Sequence, residues 1–156
     1  MANLQFNIAK GRINELQRRV VTNDPATCGL VVVLLKTAEA DAALQKHATV
    51  AAILAAASVE VDFTGHDRKI LTDADLSLPL VDNVGNVQSS ALPTNVWTSA
   101  GGTLDNTVVK GLVCYVADVA NVDNDASLVP LTMHDLSETT NGNNLNLNAG
   151  TYATSN

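Results

Sequence analysis

Hydrophobic and polar positions change their period twice along the chain. Ile13, Leu16 and Val20 recur at helical spacing, and Asn7 stands where it can cap. The pattern predicts a helix over 7–21, with Gly11 as its weak point. Thr22-Asn23-Asp24-Pro25 ends it, because Pro has no N–H and restricts the residue before it. Residues 29–36 predict a strand. The unbroken apolar run Leu30 to Leu35, rich in β-branched Val, implies burial on both faces near the centre of the core. Residues 38–57 are rich in Ala and read as helical. A separate turn is expected at 41–47, then a short helix capped by Thr49 with Val50, Ile53, Leu54 and Ala57 on one face.

From Val59 the period becomes two. Val59, Val61 and Phe63 alternate with Glu60 and Asp62, and Thr64-Gly65 bends the chain. Strands are then expected at 68–72, through Leu76, Leu78 and Leu80, at 87–92 and at 96–98. Asp82-Asn83-Val84-Gly85-Asn86 is a turn cluster. The longest strand is expected at 107–118. A strand at 128–136 carries Pro130, which suggests an edge or a bulge. Leu145 and Leu147 alternate with Asn, and 150–156 reads as a small-residue tail.

Short strands separated by turn signals predict an α+β, mainly β fold: an antiparallel β-sandwich, jelly-roll-like, with an N-terminal helix and one further short helix. No linker divides the chain. One domain over 1–156 is expected, with a helix-strand-helix part (1–58), a sandwich part (59–149) and the tail.

At 156 residues the chain can bury an ordinary core. Hydrophobic residues make up 46%, too many for a disordered acidic chain. The net charge of −7 disfavours a nucleic-acid-binding domain, which needs a surplus of Lys and Arg. No apolar run approaches the roughly 18 residues needed to span a bilayer, and the N-terminus has no apolar leader core, so no membrane is expected and synthesis is assigned to the cytoplasm. Cys28 and Cys114 read as reduced thiols.

Charge is uneven. Residues 1–69 hold eight Lys/Arg against seven acids, a net of +1, whereas 70–156 hold Lys110 against nine acids, a net of −8. Lys10, Arg12, Arg18 and Arg19, offset by Glu15, form a basic segment suited to an acidic partner, while the acidic half is a solubilising surface.

Motifs for chemistry are sparse. There is no dinucleotide fingerprint, P-loop or nucleophile elbow. His66-Asp67 and His134-Asp135 are sequence neighbours, so on a strand they point to opposite faces. Asp118, Asp123 and Asp125 supply hard oxygens, but without the spacing, central Gly and closing Glu of a calcium loop they read as a solvated turn. No catalytic residue, metal or cofactor is expected, and the protein is not expected to be an enzyme. Trp97, beside Thr94, Asn95 and Thr98, is a candidate contact with a partner, weighed against a role as an anchor between sheets.

Several strings carry a resemblance. They are Phe6-Asn7-Ile8-Ala9-Lys10-Gly11-Arg12, the run from Leu30 to Lys36 after Asn23-Asp24-Pro25, and Phe63-Thr64-Gly65 with Arg68-Lys69 and Leu71-Thr72. Val96-Trp97-Thr98, Gly111-Leu112-Val113-Cys114-Tyr115 with Asp118, and Val129-Pro130-Leu131-Thr132 with His134-Asp135 complete the set. In this order they resemble small structural proteins of tailed bacteriophages, similar in outline to capsid cement or decoration proteins. His66 after Gly65 departs from that pattern. The resemblance implies a virion protein that binds the major capsid protein on the outer shell as a homo-oligomer, dimer or trimer. Lys10, Arg12, Arg18, Arg19 and a flat β surface would make the contact. The alternative is a tail or fibre-base adsorption protein that binds carbohydrate through its Asn/Thr-rich loops.

Overall fold

The computed structural model describes residues 3–155. The first half contains β1 (Asn3–Gln5), α1 (Ile13–Val21), β2 (Gly29–Thr37), α2 (Asp41–Leu44), α3 (Val50–Ala55), β3 (Val59–Glu60) and β4 (Lys69–Leu71). The second half contains β5 (Leu80–Asp82), β6 (Val87–Leu92), β7 (Asn95–Trp97), β8 (Thr107–Val116), β9 (Val129–Thr139), β10 (Leu145–Leu147) and β11 (Gly150–Ser155). The fold is α+β and mainly β, and its strand pairings are antiparallel.

Six strands form the main sheet in the order β1-β9-β8-β2-β3, with β4 also on β2. The apolar run sets this order. Leu30 to Leu35 are all buried, and β2 pairs with β8 over seven residues, from Gly29 opposite Val116 to Leu35 opposite Lys110. A strand apolar on both faces belongs inside a sheet that is covered on both sides. On β8, Val108, Leu112, Cys114 and Val116 are buried, as is Val113 of the opposite face. Pro130 lies where the β8–β9 register shifts, opposite Cys114, so the expected bulge is present.

A three-stranded sheet, β11-β6-β5, and a two-stranded one, β10-β7, complete the strands among the described residues. Leu92, Trp97, Tyr152 and Ala153 from these sheets join the same core as Leu30, Leu112 and Met133.

Several boundaries differ from the sequence reading. Residues 7–21 are not one helix. A 3₁₀ turn at Asn7–Ala9 is followed by Gly11 at φ +76°, and α1 starts only at Ile13, with no side-chain cap. The left-handed glycine interrupts the helix that the apolar stripe suggested. Thr49 does cap α3, its hydroxyl accepting from the Ala52 N–H at 3.2 Å, and 41–44 is a separate helix, α2. The segment with Leu76 and Leu78 is not a strand; Leu76 is buried, Leu78 is exposed, and pairing begins at Leu80. Residues 150–155 are not a tail but β11, which pairs with β6 from Gly150 opposite Leu92 to Ser155 opposite Gln88. Asn156 and residues 1–2 lie outside the described residues.

Candidate docking surface

The basic segment becomes a surface because α1 has one buried face. Ile13, Leu16, Gln17 and Val20 are buried, while Arg12, Glu15, Arg18 and Arg19 are exposed on the other side. This is the amphipathic stripe expected of a helix laid on a sheet. Polar side chains fix the helix in place. Asn14 donates its amide to the Gln88 carbonyl at 3.2 Å and accepts from the Ser90 hydroxyl at 2.6 Å. Gln17 donates to the Ser77 carbonyl at 2.7 Å. These bonds attach α1 to the β5–β6 hairpin and the segment leading into it.

The four sequence-predicted cations lie together on this face but in two states. Arg18 grips Glu15 with Nε at 2.9 Å and a terminal nitrogen at 3.0 Å, and Arg19 Nε reaches the same carboxylate at 3.1 Å. The two guanidiniums hold the Glu15 carboxyl below its usual range. Lys10 and Arg12, in the turn before α1, are exposed and have no acidic partner among the described residues. Together with Glu15 the face carries a net +3 in a chain of net −7. Beside it a cleft of about 170 Å³ opens between Gln5, Gly11, Asn14, Arg18 and Gln88. Ile8 adds exposed apolar area next to Lys10.

Trp97 does not belong to this surface. It is 1% exposed, its indole N–H donates to the Asp67 carbonyl at 2.7 Å, and Lys69 Nζ stands 5.5 Å from the ring centroid. It anchors the β7–β10 sheet to the core, so its ring is closed to a partner. Of the polar neighbours that suggested a contact site, Thr94 and Thr98 are exposed, whereas Asn95 is buried and donates to the Pro93 carbonyl at 3.0 Å.

Other polar clusters are engaged internally. Arg68, only 10% exposed at its side chain, forks onto Glu60 at 2.8 and 2.5 Å, meets Asp125 at 2.6 Å and donates to the Val122 carbonyl at 2.7 Å. Its guanidinium is driven well above its usual range, chiefly by the Glu60 hydrogen bonds. Asp118 caps a 3₁₀ turn by accepting from the Ala120 N–H. Two of the three aspartates considered for a cation are thus occupied. No group of three or more His, Cys, Asp or Glu among the described residues is arranged to hold a metal. Lys110 is buried between Asp41, at 2.7 Å, and Asp135. Burial pushes the Cys114 thiol far up, and Cys28 and Cys114 are both free and buried. Burial lowers His66 and His134 below the ordinary histidine value.

A second cleft, of about 340 Å³, is lined by Glu138, Thr140 and the asparagines 141, 143, 144, 146 and 148. Tyr115 is half-buried on β8, beside Leu30 of β2, and does not line this cleft. No helix among the described residues is long and apolar enough to cross a membrane.

The alternation of the sequence hides an exposed apolar cluster in and just before the β5–β6 hairpin. Leu78, Leu80, Val81 and Val84 are among the most exposed large apolar residues of the chain, Val84 at 94%. Period-two alternation through Leu76, Leu78 and Leu80 implied a buried face that only Leu76 has. Compared with family models, with curated proteins and with solved structures, the chain finds no match.

Proposed function

We propose that the protein is a structural component of a tailed-phage virion, a cement or decoration protein that binds the major capsid protein on the outside of the head. One observation carries this reading: an exposed cationic face with two uncommitted charges, Lys10 and Arg12, on an otherwise acidic molecule. Such a face suits an acidic patch repeated over a lattice, where many weak contacts add to firm attachment. The resemblance of the quoted strings to phage structural proteins points the same way. The protein would then act by adhesion, as a homo-oligomer on the assembled particle.

The test is binding to bare shells. Deleting 1–21 would remove Ile13, Leu16 and Val20 from the core, so charge reversal is the cleaner change. Lys10→Glu with Arg12→Glu should release the protein from shells, and added salt should weaken wild-type binding. Saturation of shells by the reversed variant at wild-type concentrations would overturn the reading. The asparagine-rich cleft favours a second reading, a tail or fibre-base protein that binds carbohydrate. Labelled protein found at the tail, with glycans retained by the cleft, would decide for it.

A further inference from the structure

We infer that β5 is a self-association edge: two copies pair their β5 strands antiparallel about a twofold axis near Val81 and join two three-stranded sheets into one of six. Among the described residues β5 pairs with β6 alone, through Leu80–Ser89, Val81–Gln88 and Asp82–Val87, so its other side offers unpaired backbone N–H and C=O groups. The remaining edges are blunted. β11 carries a register shift between Thr151 and Ala153, and Gln5 donates to its Thr154 carbonyl at 3.4 Å. β3 is two residues long, and the three-residue strands β1, β4, β7 and β10 each hold half-buried or buried residues, whereas all three residues of β5 are exposed. β5 has no bulge and no Lys or Arg, and its ladder to β6 is regular. Pro79 precedes the strand and is buried at its base.

The side chains match that edge. Leu78 is 52% exposed, Leu80 69% and Val81 63%, which puts apolar groups on both faces of the strand. A solitary edge strand of this kind is a template for another strand.

Charge selects the occupant. Two chains of net −7 repel over most of their surfaces, but from 76 to 92 the only charged residue is Asp82. The Asp82 carboxylate accepts from the N–H groups of Val84 and Gly85 at 2.9 and 3.0 Å, which holds it in the turn. Pairing centred on Val81 brings Val81 against its counterpart and sets each Asp82 opposite the second copy's Leu80, with the two carboxylates at opposite ends of the ladder. A twofold contact is self-complementary, so one uncharged strand suffices to make it. Three residues per strand make a small interface, so the dimer is a weak one, with a Kd on the order of 10 μM.

Sedimentation velocity from about 1 to 200 μM is the first test, a range that brackets that Kd. Wild type should pass from monomer to dimer, whereas Leu80→Lys with Val81→Lys should stay monomeric with an unchanged far-UV spectrum and melting midpoint. A second test uses the buried state of Cys28 and Cys114. Val81→Cys introduces the accessible thiol and should oxidise to a disulfide-linked dimer, while Val84→Cys at the hairpin tip should link much less. A wild-type monomer throughout, a trimer, association of the double-lysine variant at wild-type strength, or equal crosslinking at positions 81 and 84 would each overturn the inference. It stands apart from the shell reading, because Lys10→Glu with Arg12→Glu leaves β5 intact.

Discussion

Asn14 accepts the Ser90 hydroxyl at 2.6 Å, a bond that holds the cationic helix against the second strand of the hairpin. Ser90 is fully buried, so on removal of Asn14 its hydroxyl loses its acceptor with little access to bulk water. Asn14→Ala should cost about 1–3 kcal/mol in urea unfolding, the usual penalty for stranding a buried polar group. The same variant should bind shells more weakly than wild type, since the helix that follows the turn bearing Lys10 and Arg12 loses one of its tethers. Unchanged stability would show that the bond is not a structural tie.

Arg68 and Lys110 respond differently to truncation. The carboxylate facing Arg68, Glu60, is 18% exposed, so Arg68→Met leaves a poorly hydrated charge. The expected loss is about 2–4 kcal/mol, and Glu60→Gln in the same chain should recover part of it. Denaturant midpoints of the single and double variants measure both effects.

Lys110 is 7% exposed, but Asp41 and Asp135 are 36% and 44% exposed. Water solvates those carboxylates once the ammonium is gone, and Met fills the same volume. Lys110→Met should therefore change stability by no more than about 1 kcal/mol, well below the Arg68→Met loss. A larger loss at Lys110 than at Arg68 would contradict this account of the two clusters.

Acid should weaken the fold before its carboxylates titrate. Burial lowers His66 and His134, against opposing effects of Glu60 and Asp67 on the first and Asp135 on the second. The unfolded chain takes up these protons first, near pH 6.5, so the native state loses stability as the pH falls below that value. Above it the contribution is fully present. Melting midpoints should fall between about pH 7 and 5, and His66→Gln with His134→Gln should flatten that slope. A flat wild-type profile over this range would contradict the burial of the two rings.

The central strand was legible because Leu30 to Leu35 leave no polar face, and a sheet interior is the place for such a run. Thr49 was legible because its cap is local. The end of the chain was not. Thr151, Tyr152 and Ala153 have little pattern of their own, and they form a strand because β6 supplies the ladder and Tyr152 reaches the core. Trp97 was legible only as two alternatives, because its sequence neighbours are polar; its spatial neighbours, the Asp67 carbonyl and the Leu145 strand, make it the anchor and not the partner contact. The cations were found in the sequence, but the distinction between committed and uncommitted ones was not. It depends on Glu15 lying one turn from Arg18 and Arg19 on a helix that begins only after Lys10 and Arg12.

β1 pairs with β9, Asn3 opposite His134, and Gln5 reaches Thr154 at a separation of 149 positions. Residues 132–134 must therefore be synthesised before β1 can find its place. Contacts this distant in sequence are slow to form, which places folding in the millisecond-to-second range typical of non-local β topologies. Until then Leu30 to Leu35 lack their cover, so yield during rapid overproduction should depend on chaperones that shield apolar strands.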